Sequence, residues 1–477
     1  MPASVLSSRL RLAIPVCLLA LAAGCTVGPD YHRPTVDMPV TYKEVAGWKA
    51  ATPQDQLPRG AWWSVYADPV LDGLMAQVEI SNQNVAEYAA QFAKAQAVAG
   101  EARAGLFPTL TGTASGTRSG YGSGFTSSTT GVSNDVSASA SLSWELDLWG
   151  KLRRTYEEDK ASADASRADL ANATLSAQSS LAQDYFALRI LDERIHLYGQ
   201  TLQAYERYLR VTENKYAESQ VSRADVAVAQ NQLESAKASM HDLAWQRAQY
   251  EHAIAILIGK APAAFNLPQA IGSTLRVPDT PVGLASTLLE RRPDIASAER
   301  SMASANAAVG VAIAAYYPTL TLSGSGGFEG SSARKLFTTP YRFWSIGPSF
   351  SQTLFDFGAT RAQVAQARAS YDAAVATYRQ TVLSALGEVE DYLAKLRILE
   401  HELLAQQRAT AAAIESARVT RDQYEEGKID YLDVATTQAT SLSAQQSLWE
   451  LRGTQLTTST QLIVALGGNW EGLGAGR

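Results

Sequence analysis

One thiol in this chain stands in a context that predicts covalent chemistry. Cys25 closes the run Leu21-Ala22-Ala23-Gly24-Cys25, which ends a short apolar stretch preceded by two arginines. A basic region, an apolar region and small residues before a cleavage point are typical of a secretory signal peptide. A cysteine directly after that point resembles a bacterial lipoprotein signal. We therefore predict that residues 1–24 are removed and that Cys25 is the lipidation site.

The residue after Cys25 is Thr26, and the absence of Asp there resembles lipoproteins that are sent to the outer membrane of a Gram-negative cell. The apolar stretch is too short to cross a bilayer, which takes about 20 residues. Two or more acyl chains would give stable anchoring where one would be marginal. The alternative is an uncleaved core segment that carries a chance cysteine.

Residue patterns that support enzymatic chemistry do not occur in the sequence. The five histidines are scattered, and the segment that begins His401-Glu402 lacks the second histidine that a zinc-binding helix needs. We find no Gly-x-Ser-x-Gly elbow and no phosphate-binding or dinucleotide-binding glycine pattern. The sequence predicts a protein that is not an enzyme, with no catalytic residues, no metal site and no cofactor. A lipoprotein hydrolase is the alternative that this search tested.

Composition argues for long helices and against a compact core. Without residues 1–24 the formal net charge changes from −6 to −8, so nothing indicates nucleic acid as a partner. Cys17 is lost with the signal and Cys25 is the lipid site, which leaves no thiol for a disulfide. Aromatic residues are few, and Ala, Ser, Gln and Thr are abundant. Stability must therefore come from packing or from assembly.

The chain repeats itself with a spacing near 208 residues. We predict an N-terminal anchor segment at 25–70, a first repeat at 71–265 and a second repeat at 285–477. Each repeat is expected to contain a helix, two strands and two long helices. The matching segments are Phe107-Pro108-Thr109-Leu110 with Tyr317-Pro318-Thr319-Leu320, Trp149-Gly150 with Phe357-Gly358, Tyr216–Val226 with Tyr424–Val434, and Gly259 with Gly467.

Two long segments are free of proline, the residue that most often ends a helix: one from Pro108 to Pro262 and one after Pro348. In the first, apolar residues recur at intervals of three and four, as in a coiled-coil seam. The helix predicted from Gly150 to Tyr216 would be about 100 Å long at 1.5 Å per residue. Arg247 interrupts the seam of the helix that follows.

The segments at about 109–145 and 318–354 alternate apolar and small polar residues. From Val136 to Trp144, apolar side chains alternate with four serines. Such alternation over about ten residues, with tryptophan toward one end, is typical of transmembrane barrel strands that face lipid outside and water inside. A soluble, half-buried sheet is the alternative.

Four strands cannot close a barrel, and an open edge would leave backbone groups unpaired in lipid. Oligomerisation is therefore required. Two copies would give eight strands, whose interior fills with side chains, and three would give twelve, which leave room for an aqueous lumen.

These residues resemble the TolC-like outer membrane factors, in particular their OprM/NodT-type lipoprotein branch. The resemblance covers essentially the whole mature chain. It rests on four segments in order: Gly28–Pro34, Trp62-Trp63 with Asp68–Leu71, Ser141–Gly150, and Arg291–Ile295 with Glu299.

The resemblance implies an α+β membrane protein in which a trimeric β-barrel, four strands per protomer, continues into a long α-helical barrel in the periplasm. It implies an outer membrane channel that conducts substrates passively within a tripartite efflux system. The implied partners are a homotrimer, outer membrane lipids, a periplasmic adaptor protein and an inner-membrane transporter, often of the resistance-nodulation-division type. The alternatives are a non-pore structural coiled-coil lipoprotein and an outer membrane factor for type I protein secretion.

In this family the helical barrel narrows at its periplasmic tips, which correspond to Tyr216–Asp225 and Tyr424–Asp433. The resemblance therefore makes Asp225 and Asp433 candidate acidic gate residues and Leu432 a candidate constriction. Tyr424 and Arg421 are candidates for the contacts that hold the tip shut. The alternative role for both aspartates is N-capping of the helix that follows each turn, a position that favours aspartate.

The sequence departs from TolC at Thr436 and Ile429, where TolC has an aspartate and an arginine, so the gate contacts differ. The turns themselves are candidate adaptor-facing tips, through Ser219, Gln220, Gly427 and Lys428. A plain solvated turn is the alternative for these four residues.

Overall fold

The computed structural model describes residues 26–33, 60–121, 131–272, 277–278 and 292–468. Within them, seven α-helices and four strands carry the fold, with short 3₁₀ turns such as Trp62–Tyr66. In chain order the elements are α1 (Pro69–Ser81), α2 (Gln83–Ala104), β1 (Thr109–Tyr121), β2 (Gly131–Leu146), α3 (Lys151–Ala217), α4 (Arg223–Leu257), α5 (Pro293–Ala314), β3 (Thr319–Gly330), β4 (Arg342–Ser351), α6 (Ala359–Glu425) and α7 (Tyr431–Ala465).

The strands form one antiparallel sheet in the order β1-β2-β3-β4. Residues opposite each other on paired strands point to the same face, so Leu142 and its partner Leu110 share the apolar face. Ser137 and its partner Ser115 share the polar face, where their hydroxyl oxygens lie 2.8 Å apart. Strands β1 and β4 form the two outer edges, and neither edge has a partner within the described chain.

The positions of the helices follow from their amino-acid composition and from the proline and capping residues that limit them. Helices α3 and α6 each contain 67 residues without a proline, and both are rich in Ala, Leu, Gln, Glu and Arg, which have high helix propensity. Asp68 begins α1, because its carboxylate accepts hydrogen bonds from the amides of Val70 and Leu71 and Pro69 fits the first helical position.

The chain divides into two compact units. One contains the N-terminal segment, Gln91–Ser166 and Ser297–Arg379, and it includes the whole sheet. The other contains the remaining parts of the long helices together with α1, and it holds the largest apolar core. Trp62 is fully buried in that core.

Residues 26–33 belong to the unit that contains the sheet and contact the helices of that unit. Gly28 has a φ of +100°, and a Cβ there would come within 2.5 Å of the Cα of Gly310, so this crossing requires glycine. Arg154 donates to the Asp30 carboxylate over 2.7 Å. Tyr31 donates to Glu299 over 2.5 Å, and the desolvation of its hydroxyl by burial, with this acceptor, raises the pKa of Tyr31. The Gly28 and Glu299 motifs are therefore in direct contact.

Element bounds in the second half of the chain recur at fixed offsets from the first half. Helix α5 begins and ends 210 residues after α2, whereas α6 and α7 begin and end 208 residues after α3 and α4. The change of two residues falls between the start of β3 and the start of α6. Among the described residues, no helix has both the length and the apolar character needed to cross a membrane.

Candidate functional site

The turn between α3 and α4 is fixed by backbone and side-chain caps. Ser219 has a left-handed φ of 59°, and the amide of Gln220 donates to the carbonyl of Lys215 over 2.8 Å, as in a Schellman motif. Ser222 then caps α4. Its hydroxyl accepts from the amide of Asp225, and the Asp225 carboxylate accepts from the amide and hydroxyl of Ser222 over 2.9 and 2.7 Å. Asp225 is thus the acidic member of a capping box.

The turn between α6 and α7 has the same backbone path with different side chains. Gly427 has a φ of +73°, and the amide of Lys428 donates to the carbonyl of Gln423 over 2.9 Å. Lys428 forms an exposed ion pair with Glu426. Asp430 is the cap residue of α7, but its side chain makes no capping hydrogen bond. Glycine removes the strain that Ser219 carries at the matching position.

A cluster of tyrosines joins the two turns within one unit. Tyr424 and Tyr431 are almost fully buried, with ring centres 5.7 Å apart, and Tyr208 lies 6.4 Å from Tyr431. The Tyr431 hydroxyl donates to Gln232 on α4 over 3.2 Å. Burial raises the pKa of Tyr431, which keeps its phenol neutral. We call Tyr208, Tyr424 and Tyr431 the tip cluster, and its contacts tie α3, α6 and α7 together next to the turns.

The gate candidates occupy different environments. Asp433 and Leu432 are exposed on the first turn of α7, and the Asp433 carboxylate makes no hydrogen bond or ion pair to other described residues. Tyr424 is buried, with the Lys215 ammonium 4.1 Å from its ring centre, and its hydroxyl has no hydrogen-bond partner in the described protomer. Arg421 is half-exposed and pairs with the neighbouring Asp422 over 3.2 Å.

These positions separate the two aspartates by role. Neither aspartate is the N-cap residue that was the alternative role, because Ser222 and Asp430 hold those positions. Asp225 instead supports the Ser222 cap from the third helical position through its carboxylate. Asp433 has no such partner in the described chain. The four candidate adaptor-facing residues at the turns are all exposed: Ser219, Gln220, Gly427 and Lys428. Exposure is what contact with an adaptor requires.

A buried charge network joins α3 and α4 away from the candidate site residues. Arg247 on α4 donates to Asp192 on α3 over 2.6 Å, and also to the Leu267 carbonyl over 2.6 Å. Arg189 donates to Asp192 and to the Pro268 carbonyl. The network holds the segment after α4 against both helices. Arg247 interrupts the apolar seam because it is the partner of Asp192, and only that interruption was visible in the sequence.

The predicted lipid site Cys25 lies outside the described residues. Its neighbour Thr26 is described, and a Cβ placed on Gly150 would come within 2.7 Å of the Thr26 side chain. Gly150 stands between the end of β2 and the start of α3. The chain therefore leaves the predicted anchor at the junction between the sheet and the long helices.

Comparison of the chain with known proteins identifies its family. The family model for outer membrane efflux proteins matches residues 74–260 and again 284–468. The chain belongs to the outer membrane efflux protein family. This outer membrane efflux protein is 31% identical to the pyoverdine export outer membrane protein OpmQ of Pseudomonas aeruginosa, over 96% of each chain. It is 30% identical to nodulation protein T of Rhizobium leguminosarum, over 90% of this chain and 91% of that protein.

The fold agrees with the family. The solved structure of the outer-membrane channel OprN matches with a TM-score of 0.83 and 29% identity, over 94% of this chain and all of that one. The efflux protein therefore has the TolC-like channel fold, and the resemblance found in the sequence is confirmed. It is an outer membrane channel component of a tripartite efflux system in a Gram-negative cell, with its helical part in the periplasm. Such systems imply an adaptor protein and an inner-membrane transporter as partners.

Proposed function

We propose that three copies of this chain form a passive duct, with a twelve-stranded barrel in the outer membrane and a helical barrel in the periplasm. One observation carries this proposal: the four-stranded sheet has one face rich in Ser and Thr, one largely apolar face and two edges that are unpaired within the described chain. The apolar face is interrupted near one end by Arg118 opposite Asn134. In a bilayer both edges must be satisfied, and only further strands do so. Three protomers give a barrel wide enough for water, whereas two give one that side chains fill.

We also propose that the chain arose by tandem duplication, with repeats at 71–265 and 285–477 after a signal at 1–24 and an anchor segment at 25–70. Hydrogen bonds that recur at the same offsets support this. The Ser115–Ser137 hydroxyl contact of 2.8 Å recurs between Ser325 and Ser345, also at 2.8 Å. The Trp144 indole donates to the carbonyl of Leu106, and at the corresponding places Gln352 donates to the carbonyl of Tyr316.

The narrow end of the duct is proposed to lie at the two turns. Three copies of the exposed Asp433 around one axis would attract cations and repel one another. Leu432, exposed beside it, supplies an apolar constriction. Asp225 contributes charge while it supports the Ser222 cap of α4. Tyr424 and Arg421 stabilise the closed tip from within the protomer, the first by packing in the tip cluster and the second through Asp422.

The exposed turns are the proposed adaptor-facing surface, through Ser219, Gln220, Gly427 and Lys428. The Ser222–Asp225 capping box at the first turn supports this role, since a surface that must meet a partner repeatedly gains from preorganisation. The transporter partner is proposed to be of the resistance-nodulation-division type. Because OpmQ exports pyoverdine by its name, we propose small-molecule export over protein secretion.

Cys25 is the proposed lipid attachment site. The test is metabolic labelling with an alkyne analogue of palmitate. We expect the natural protein to be labelled and Cys25→Ser to lose the label, whereas Cys17→Ser keeps it because residue 17 leaves with the signal. Labelled Cys25→Ser protein would refute this assignment.

The duct is tested by planar-bilayer conductance of the purified, detergent-extracted protein, with the oligomer mass measured on the same sample. A small, cation-preferring conductance from a trimer is the expected result. A monomer or dimer without conductance would instead favour a structural lipoprotein that forms no pore.

A further inference from the structure

The charged residues of the four strands are divided between the two faces of the sheet. Arg118 on β1 and Arg342 on β4 lie on the apolar face, opposite Asn134 and Phe328 of the neighbouring strands. Three acidic residues occupy the alternate positions in the strands and therefore lie on the polar face: Asp135, Glu145 and Glu329. Among the described strand residues, the apolar face carries positive charge and no negative charge.

Neither arginine is neutralised by the described part of its own chain. Both side chains are exposed, and neither guanidinium group donates a hydrogen bond to another described residue or forms an ion pair with one. A cation on a face that meets lipid is unfavourable unless its long side chain reaches the polar interface or meets an anion there. The height of the two arginines in the membrane therefore decides what they can bind.

Both arginines lie toward the exterior end of the sheet. The helical part of the protein is in the periplasm, so the exterior ends of the strands are those joined by the β1–β2 and β3–β4 connections. Arg118 follows Leu110 by eight residues, and Arg342 precedes Phe350 by eight. Eight residues span about 27 Å of strand, or a height of about 21 Å at a tilt of about 40°. Because the apolar band of such barrels is about 25 Å tall, extended arginine side chains reach its exterior boundary.

The connection between β3 and β4 adds two cations at the same end of the sheet. Its Phe337 ring lies 5.5 Å from the ring of Phe328, a residue of the apolar face, so the connection lies over that face. Trp344 on β4 also belongs to the apolar face. Aromatic rings at this level are typical of the interfacial girdle of a membrane barrel. In the 3₁₀ turn of the connection, Arg334 and Lys335 are exposed and form no ion pair with described residues.

We propose that Arg118 and Arg342, assisted by Arg334 and Lys335, bind the phosphate groups of lipopolysaccharide, the glycolipid of the outer leaflet. We call these four residues the cationic rim. In a Gram-negative outer membrane this lipid faces the exterior, and its phosphates lie at the boundary between its sugars and its acyl chains. The cationic rim lies at that boundary. The lipid site rests on the proposed barrel, because only in a barrel does the apolar face of the sheet meet lipid.

A phosphorylated glycolipid fits both kinds of side chain at this end of the sheet. A guanidinium group can donate two parallel hydrogen bonds to a phosphate, and such charge-assisted bonds are stronger than neutral ones. The rings of Phe337 and Trp344, which are 72% and 73% exposed, offer apolar contact to the acyl chains beneath the phosphates. A phospholipid of the periplasmic leaflet also has a phosphate, but its headgroup lies at the opposite end of the sheet.

The test measures the lipid that the purified full-length protein binds. Protein in a mild detergent is mixed with lipopolysaccharide that carries both of its lipid A phosphates, and bound lipid is counted by native mass spectrometry. We expect Arg118→Gln/Arg342→Gln to weaken binding by about fivefold or more, because Gln is polar but uncharged. Adding Arg334→Gln and Lys335→Gln should weaken it further. Enzymatically dephosphorylated lipopolysaccharide should bind the natural protein as weakly as the intact lipid binds the Gln variant.

Two control variants separate recognition of phosphate from a general effect of charge. Arg368→Gln/Arg379→Gln removes the same two charges from the exposed surface of α6 and should leave lipid binding unchanged. Arg118→Lys/Arg342→Lys keeps the charge without the planar donor pair and should bind an intermediate amount. Equal binding by the natural protein and Arg118→Gln/Arg342→Gln would overturn the proposal, as would equal binding of intact and dephosphorylated lipid. Preferential binding of phosphatidylglycerol would overturn the choice of the glycolipid.

The oligomer mass and the conductance of the same samples distinguish failure of the lipid site from failure of the duct. We expect every variant to remain a conducting trimer, because the substituted side chains of the cationic rim make no described contact. A conducting trimer whose lipid binding is insensitive to the arginine substitutions refutes the lipid site alone. A monomer without conductance in the natural protein refutes the duct and, with it, the lipid-facing surface on which the site depends.

Discussion

Arg247 on α4 donates through Nε to the Oδ1 atom of Asp192 on α3 over 2.6 Å, and the Asp192 side chain is fully buried. Asp192 also accepts from Arg189 and from the amide of Ala270, so each carboxylate oxygen is satisfied. Two guanidinium groups offset the desolvation of this buried carboxylate through opposite charge and hydrogen bonds. The pair therefore joins two long helices at a point where apolar residues would only pack.

Loss of one partner from this pair should be far more harmful than loss of both. We expect Arg247→Met to lower the free energy of unfolding by about 3–5 kcal/mol, since a buried carboxylate loses a partner. Adding Asp192→Leu should recover part of that loss. Thermal denaturation of the single and double variants measures the coupling, and strictly additive effects would show that the pair is not a unit.

Asp433 is expected to act on conduction and not on folding. Replacing it with Asn removes a charge that makes no described side-chain contact, so the melting temperature should stay the same while the cation selectivity of the channel falls. Asp225→Asn is the matched control, and loss of its capping box should cost about 0.5–2 kcal/mol. Selectivity is read from reversal potentials under a salt gradient. Unchanged selectivity in Asp433→Asn, alone and combined with Asp225→Asn, would refute the acidic gate.

Tyr424 offers a test that separates packing from hydrogen bonding at the tip. Its hydroxyl is buried without a partner in the described protomer, so Tyr424→Phe should leave stability unchanged or raise it by about 1 kcal/mol. Tyr424→Ala removes the ring from the tip cluster and should cost about 3–5 kcal/mol. We expect single-channel conductance to rise only in the Ala variant. Higher conductance in Tyr424→Phe would instead show that the hydroxyl holds the tip shut.

Asp184 on α3 predicts a pH dependence of stability. Burial raises the pKa of this carboxyl from 3.8 to about 6. Because the folded protein holds the proton more tightly than the unfolded chain does, stability is lost as the pH rises through this interval. Asp184→Asn should abolish that loss, which we expect to be on the order of 1–2 kcal/mol after solvent screening. Denaturant unfolding of both proteins at pH 4.5 and pH 7 measures this loss. An equal change in the free energy of unfolding between the two pH values in both proteins would contradict the prediction.

The elements that depend on local sequence patterns could be predicted from the sequence. Serine alternation from Val136 to Trp144 predicted strands where β2 lies, and the absence of proline after Pro108 and Pro348 predicted helices where α3 and α6 lie. The Asp225 environment was also foreseeable, as a serine three residues before an acidic residue is a known capping pattern.

Contacts between distant residues were not foreseeable from one chain. Arg247 was visible only as an interruption of a seam, since its partner Asp192 lies 55 residues away on another helix. Tyr424 is surrounded in the sequence by charged residues next to a turn, which favours an exposed position, yet packing against Tyr431 buries it. The matched segments already show offsets of 210 residues before β1 and 208 residues after β2. The residue pairing between the strands required the structure, because loop length alone does not fix the register.

The claim that the sheet lines an aqueous channel is tested most directly by current block in single channels that carry one cysteine per protomer. Ser141→Cys lies on the polar face and Leu142→Cys on the apolar face of the same strand. We predict that a membrane-impermeant, charged methanethiosulfonate lowers the conductance of Ser141→Cys in up to three discrete steps and leaves that of Leu142→Cys unchanged. Block of Leu142→Cys with no effect on Ser141→Cys would contradict the account.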